Sequence, residues 1–304
     1  MKIYAPEYYK KFRCIADKCN HSCCIGWEID IDDDTLKLYN NIDSDFGREI
    51  INNINQQDGC NCFKLTHNER CPFLNKNNLC EIILNLGENA LCQICKDHPR
   101  FRNYFEDRIE IGLGLCCEEA SRIILSDPSP FKLEIIDDDK QNKSLYSDEE
   151  DFFKYRNIAF DILQDKEFSL DERIENLKEF FKIDFPDKSI SQWCDFYLSL
   201  EILNDKWIEL LNKLKTGIQK EKPDNFDFYG ENIVCYFLYR HLSNAIYDGN
   251  LKGWLSFAIL GYKMIKALCQ MECNSFDDLV EYARLYSSEI EYSQENIDAL
   301  INQL

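Results

Sequence analysis

The sequence predicts a mainly α-helical protein: a cysteine-rich, metal- or cluster-binding N-terminal part with short strands, followed by an all-helical C-terminal part. Twelve of the 16 cysteines lie in the first 117 residues, whereas the second half carries apolar residues at helical spacing. A length of 304 residues suits two domains of ordinary size. Turn-rich, charged residues mark the boundary. We therefore expect a cysteine-cluster domain at 1–130, a connector at 131–150 and a helical domain at 151–304.

The charge balance excludes one large class of partners. The chain has 55 acidic and 35 basic side chains, a net charge of -20. Because such a surface repels a phosphate backbone, we expect no nucleic-acid partner. No stretch of apolar residues is long enough to span a bilayer, so no membrane partner is expected.

The compartment determines how the cysteines are interpreted. The first seven residues lack the apolar core of a signal peptide, which favours a cytoplasmic location. Disulfides are rare in that reducing compartment. Metal binding, redox chemistry or burial must then account for the cysteines.

Closely spaced thiols in several loops are typical of a metal or iron–sulfur site, which needs about four converging thiolates. The twelve N-terminal cysteines are Cys14, Cys19, Cys23, Cys24, Cys60, Cys62, Cys71, Cys80, Cys92, Cys95, Cys116 and Cys117. His21 and His98 lie near them, at positions that suit a surface or supporting role better than direct ligation. The spacing matches neither a zinc ribbon, nor a radical S-adenosylmethionine enzyme, nor a bacterial ferredoxin. Buried structural cysteines remain the alternative.

Short elements are expected between these cysteines. Residues 28–32 alternate in polarity and are a candidate strand, residues 109–115 are a second candidate, and residues 118–125 suggest a short helix.

The second half is predicted to be a helical bundle. The expected helices cover 151–164, a segment from Ser169, 190–218, 231–269 and a last segment from Ser275. Ser169 and Glu172 have the spacing of a capping box, and Gly249 is expected to break the fourth segment. Its cysteines sit among apolar residues and are expected to be buried: Cys194, Cys235, Cys269 and Cys273.

The order of motifs along the chain resembles the flagellin lysine-N-methylase family, a group of cysteine-cluster proteins described as zinc- or iron-chelating. The N-terminal motifs are Phe12-x-Cys14, Cys19, Cys23-Cys24-x-Gly26-Trp27-x-Ile29, Cys71-Pro72-Phe73-Leu74, Leu79-Cys80-x-Ile82, Leu86-Gly87-Glu88 and Cys95-x3-Pro99-Arg100. The segment at 117–125 is similar to the family's next block, and weaker similarity continues through 231–249.

The resemblance implies transfer of a methyl group from S-adenosylmethionine to lysine ε-amino groups of flagellin or another lysine-bearing protein, with a bound iron–sulfur cluster. A 4Fe-4S cluster is expected, with zinc as the alternative metal. The cysteines that match the pattern are Cys14, Cys19, Cys23, Cys24, Cys71, Cys80, Cys95 and Cys117. Eight thiols exceed the four of one cubane cluster, so some are structural or two centres exist. The cysteines outside the pattern are Cys60, Cys62, Cys92 and Cys116.

The methyl-transfer chemistry asks for a deprotonated lysine and for alignment of the reacting atoms. We expect Arg100 to pair with the carboxylate of S-adenosylmethionine. A general base is not assigned; the side chains considered are Tyr104, Glu110, Glu118 and Glu119. The negative surface would attract a lysine-bearing target.

Two other functions fit the same cysteines. A non-catalytic zinc- or iron-binding module would hold metal without binding a methyl donor, and an iron–sulfur redox protein would change oxidation state without methyl transfer. The helical half favours the enzyme, because a metal clip alone does not need it.

Overall fold

The computed structural model divides into two compact units. The cysteine-rich unit is Arg13–Arg100, and the helical unit combines Met1–Phe12 with Phe101–Leu304. The residues described are 1–57, 59–138, 147–217 and 226–304. This division differs from the predicted domains 1–130 and 151–304, because the N-terminal strand and the residues after Arg100 belong to the helical unit.

Strands and helices follow one another in the described residues as follows. The strands are β1 (Lys2–Pro6), β2 (Ile54–Gln57), β3 (Cys60–Phe63), β4 (Arg100–Tyr104), β5 (Arg108–Leu113) and β6 (Leu133–Asp138). The helices are α1 (Asp33–Asn40), α2 (Asp45–Asn52), α3 (Glu81–Leu86), α4 (Gln93–Asp97), α5 (Glu118–Ser126), α6 (Ser147–Leu163), α7 (Leu170–Phe181), α8 (Ile190–Tyr197), α9 (Asp205–Thr216), α10 (Phe226–His241), α11 (Ala245–Asp248), α12 (Leu251–Glu272), α13 (Phe276–Ile290) and α14 (Gln294–Ile301).

A small core holds the cysteine-rich unit together. The hairpin of β2 and β3 is antiparallel, with Ile54 opposite Phe63. The Phe63 ring packs edge-on against Phe73, with centroids 5.0 Å apart. The strand predicted at 28–32 is not formed, and only an isolated bridge joins Asp30 to Cys62 there. Loops therefore make up much of this unit.

A four-stranded sheet in the order β4-β5-β1-β6 lies in the helical unit. Strand β1 pairs parallel with β5 and antiparallel with β6. The predicted strand at 109–115 is confirmed by β5. Strand β6 falls inside the predicted connector 131–150, whose central residues 139–146 lie outside the described residues.

The helical character predicted for the C-terminal half is confirmed. Helix α12 is buried on most of its surface, and it contacts α10 along its length. A Cβ added at Gly261 would lie 2.8 Å from the Phe237 ring, so glycine is what lets these two helices approach. Gly249, with φ of 70°, ends α11 and confirms the predicted break.

Helix ends follow the sequence signals closely. Ser169 and Glu172 form the predicted capping box of α7, and Ser275 caps α13. The segment predicted as one helix at 190–218 is two helices, α8 and α9, because Asn204 caps a new start. A further helix, α14, follows the predicted last one.

In the described parts of the chain, every helix falls short of the length and apolarity that crossing a bilayer requires.

Candidate functional site

Backbone hydrogen bonds bring three cysteines of the cysteine-rich unit to one region. The amide of Cys71 donates to the carbonyl of Cys24 over 2.8 Å. Two residues after Pro72, Leu74 forms an antiparallel bridge with Cys80. The Phe73 side chain between them is 1% exposed and fixes this loop to the core. Cys24, Cys71 and Cys80 are therefore positioned by main-chain pairing and by one buried ring.

Arg70 holds the turn that follows. Its Nε donates to the carbonyl of Leu74 over 3.3 Å, and its Nη2 donates to the carbonyl of Asn75 and to Oδ1 of Asn78 over 2.7 and 2.9 Å. The guanidinium therefore donates to three oxygen atoms of a tight loop, and it adds a positive charge beside the thiols.

Cys92 and Cys95 lie at the start of α4. The Cys92 Sγ is 3.6 Å from the Tyr39 hydroxyl, which also donates to the carbonyl of Ala90 over 2.7 Å. A hydrogen bond from the Cys95 thiol lowers the pKa of Cys92, and the same contact, together with burial, raises the pKa of Cys95. This contact therefore shifts the pKa values of the two thiols in opposite directions.

Electrostatics link these two groups of thiols. A hydrogen bond from Cys23 lowers the pKa of Cys24 to about 7, against the opposing effect of burial. Burial, together with the negative charges of Cys24, Cys80 and Cys92, raises the pKa of Cys71 to about 12. Five thiols, which we call the thiol group (Cys24, Cys71, Cys80, Cys92 and Cys95), thus lie within electrostatic range of one another. A bound cation would relieve their mutual repulsion when they ionise.

The thiol group does not have the geometry of a closed metal site. Across the described ranges, no set of three or more His, Cys, Asp or Glu side chains lies close enough together to hold an ion.

Among the remaining predicted ligands, Cys23 contacts the thiol group through its hydrogen bond to Cys24. Cys14 and Cys23 are exposed. The Cys19 thiol donates to the carbonyl of His21 over 3.0 Å. Cys117 belongs to the helical unit, where it precedes α5 as its N-terminal cap residue. The predicted ligands are therefore spread through both units.

Cys92 is one of the four cysteines that lie outside the family pattern. It is 1% exposed and belongs to the thiol group. The sequence does contain a signal for Cys92 as a ligand, because Cys92-x2-Cys95 is the spacing of a metal knuckle. By contrast, Cys60 is exposed and Cys62 donates to Oδ1 of Asn55.

The side chains considered for acid–base chemistry have structural partners. Glu110 is fully buried and accepts two hydrogen bonds from Arg156, over 2.6 and 2.8 Å. Glu118 and Glu119 lie within salt-bridge distance of Arg122. Arg100 donates from Nη1 to the carbonyl of Lys96 over 3.2 Å.

The cysteines of the helical half follow the prediction with one correction. Cys194, Cys235 and Cys269 are buried, as expected. Cys273 is partly exposed instead, because α12 ends there and its thiol donates to the carbonyl of Ser275. A hydrogen bond from Cys269 lowers the pKa of Cys273 to about 7.

Comparison with known proteins finds similarity to methylases. Over 142 residues, the chain is 28% identical to the lysine-N-methylases of Salmonella typhimurium strain LT2 and Salmonella choleraesuis strain SC-B67. It is equally similar to the flagellar biosynthetic protein FliU of Salmonella muenchen. Each match covers 43% of this chain, and 34% of either methylase or 81% of FliU. The match thus spans about a third of the length of these lysine-N-methylases.

No family model matches the chain, and no solved structure matches it. The similarity to curated lysine-N-methylases confirms the resemblance that the motifs predicted.

Proposed function

We propose that this chain is a protein-lysine N-methyltransferase, or a part of one, that moves a methyl group from S-adenosylmethionine to lysine ε-amino groups. The observation that carries the proposal is the similarity over 142 residues to two curated lysine-N-methylases. The flagellar name of a third relative supports flagellin as the acceptor protein. The net charge of -20 favours an acceptor with exposed lysines.

The proposed cofactor of the cysteine-rich unit is an iron–sulfur cluster of the 4Fe-4S type, with zinc as the alternative. Soft thiolates suit both metals, and the thiol group offers five of them within electrostatic range. Cys24, Cys71, Cys80 and Cys95 match the family pattern as well, so they are the ligands we favour, with Cys92 as a further candidate. When bound, the centre would supply folding free energy to loops that have a small core.

Arg100 is proposed to bind the carboxylate of S-adenosylmethionine. A guanidinium pairs with a carboxylate through two parallel hydrogen bonds. Isothermal titration with S-adenosylmethionine tests this role. We expect Arg100→Ala to weaken binding at least tenfold, and unchanged binding would refute the assignment.

The function is tested with protein purified without oxygen. Iron, sulfide and zinc are measured, and the same sample is incubated with flagellin and methyl-labelled S-adenosylmethionine. Near-equal iron and sulfide with label on lysine is the expected result. Zinc without label would favour the non-catalytic metal-binding module, and a reducible cluster without label would favour the redox protein.

A further inference from the structure

A cavity of about 260 Å³ lies within the helical unit. Ligand pockets for drug-sized molecules run from about 300 to 1,000 Å³, so this cavity suits a side chain better than a nucleoside-bearing cofactor. Its walls come from β4, from the end of α10 and from the segments that follow. The lining residues are Phe101, Asn103, Arg240, His241, Asn244, Trp254, Glu291, Gln294 and Ile297.

The charges along the cavity balance. Glu291 is buried, and it accepts from Nε of Arg240 over 3.1 Å and from the Tyr236 hydroxyl over 2.9 Å. Arg240 also donates from Nη1 to the Tyr236 hydroxyl over 2.8 Å. Its guanidinium carbon lies 5.3 Å from the centroid of the Phe101 ring. Because the guanidinium is matched by one carboxylate, no excess charge is available to attract a free anion.

His241 is oriented by the same carboxylate. Its Nε2 lies 2.5 Å from Oε2 of Glu291, and its ring stacks on Trp254 with 6° between the planes. An ionised carboxylate only accepts hydrogen bonds, so Nε2 carries the ring proton and Nδ1 keeps its lone pair. This is the arrangement in which a carboxylate holds a histidine ready to accept a proton.

Two amide oxygens on the cavity wall are available as acceptors. Asn103 uses its Nδ2 to donate to the carbonyls of Tyr239 and Arg240, over 3.0 and 3.3 Å. Gln294 uses its Nε2 to donate to Asp298 over 2.8 Å. Because each of these nitrogens donates to an acceptor, the other terminal atom of each side-chain amide is its oxygen. Neither oxygen accepts from a protein donor among the residues that the structure describes. Asn103 is half-buried and Gln294 is exposed, so both oxygens are accessible to the N–H groups of a ligand.

We propose that this cavity receives the aliphatic amine that accepts the methyl group, with His241 as its general base and Glu291 as the residue that positions His241. The proposal rests on the proposed methyltransferase function and names the acceptor site within it. Phe101 and Trp254 would contact the apolar chain of the amine, while Asn103 and Gln294 would accept from its N–H groups.

The reaction balances with a sulfonium donor. Nδ1 of His241 takes a proton from the ammonium, and the freed lone pair forms the N–CH₃ bond as the S–CH₃ bond breaks. The bonding electrons stay on sulfur, which leaves as a neutral thioether. The burial of the site favours the neutral amine.

Burial lowers the pKa of His241, so the ring is neutral at pH 7 and able to accept a proton. The charged groups that face it are Glu291 beyond the end of α13 and Arg240 on its own helix, and aromatic rings cover it from α12: Trp254 and Phe257.

The first test measures binding alone. n-Butylamine is added to full-length protein with ¹⁵N-labelled histidine, and pentanoate serves as the matched anion. We expect the amine to shift the His241 ring signals, assigned with His241→Gln, and to leave the other three histidines unchanged. A shift with pentanoate only, or with neither probe, would overturn the proposal.

The second test measures methyl transfer. His241→Gln retains a donor toward Glu291 without a basic nitrogen, so kcat should fall by about 10²–10⁴-fold with little change in KM for the acceptor. The acid limb of the wild-type pH profile should vanish in this variant. Tyr197→Phe, which removes a buried hydroxyl contact with Tyr286, is the control for general destabilisation.

The two tests separate this proposal from the function on which it rests. Full activity in His241→Gln would overturn the base while the methyltransferase stands. A wild-type protein that binds butylamine but transfers no methyl would keep the amine site and contradict the methyltransferase.

Discussion

The two units differ in what stabilises them. The helical unit buries large aromatic and aliphatic side chains on α10, α12 and α13, and it pairs its buried charges directly, as in Glu110 with Arg156. The cysteine-rich unit has a much smaller core, whose buried members include Cys71 and Cys92. Apolar burial contributes about 25 cal/mol for each Å² removed from water. Packing therefore contributes less to the stability of the cysteine-rich unit than to that of the helical unit, and the proposed metal centre would add to it.

Removing the metal should produce the largest difference between the units. Structural zinc supplies about 10–16 kcal/mol in small metal-binding domains. Chelation should therefore cause residues 13–100 to lose protection in hydrogen-exchange mass spectrometry, while α12 stays protected. Cys71→Ser should act like chelation, and Cys194→Ser is the matched control, because Cys194 is buried in the helical unit. Equal loss of protection in both units would contradict the comparison.

Breaking a buried ion pair should destabilise the helical unit and leave the cysteine-rich unit unchanged. Glu110→Gln leaves Arg156 buried without its countercharge, which costs about 3–5 kcal/mol. Denaturant unfolding should show this loss in the helical unit, with metal content unchanged. Asp45→Asn breaks the exposed pair with Arg48 and should change neither the stability nor the metal content. A variant that loses metal together with stability would show that the units do not separate.

Loss of a helix cap should have a smaller effect in the helical unit. Ser169→Ala removes the capping box of α7 and should lower the free energy of unfolding by about 1 kcal/mol. Ser169→Asn retains a capping oxygen and serves as the control. If both variants lose the same stability, the side-chain cap is not the cause.

Thiol labelling sharpens the comparison at the level of single residues. The pKa of Cys273 is lowered to about 7, so its thiolate forms as pH rises from 6 to 8, and alkylation should accelerate about tenfold per unit below pH 7. Cys194, whose pKa is raised to about 11 by burial, should remain unreactive over that range. Metal loading should protect Cys24 and leave Cys273 unchanged. Protection of both cysteines would mean that the metal is not confined to the cysteine-rich unit.

Features of the fold were predictable from the sequence where the interacting residues lie close together along the chain. The capping box at Ser169 and the break at Gly249 are local signals, and both were predicted. Strand β6 was missed, because its partner β1 lies more than 120 residues earlier in the chain. No local pattern in the sequence indicates a pairing between strands so far apart.

The candidate site was partly predictable for the same reason. Thiol spacing is local and singled out the twelve N-terminal cysteines together. The family resemblance then selected Cys24, Cys71, Cys80 and Cys95 among them and omitted Cys92. The cavity was not foreseen. His241 had no partner readable from sequence, since Glu291 lies 50 residues away on another segment.

The central claim is methyl transfer to lysine, and peptide mass spectrometry tests it most directly. Anaerobically purified protein, with and without its metal, is incubated with flagellin and S-adenosylmethionine carrying a labelled methyl group. The account predicts labelled methyl-lysine with the metal-loaded protein and far less after chelation. Flagellin that stays unlabelled with the fully loaded protein, while S-adenosylmethionine is shown to bind, would contradict it.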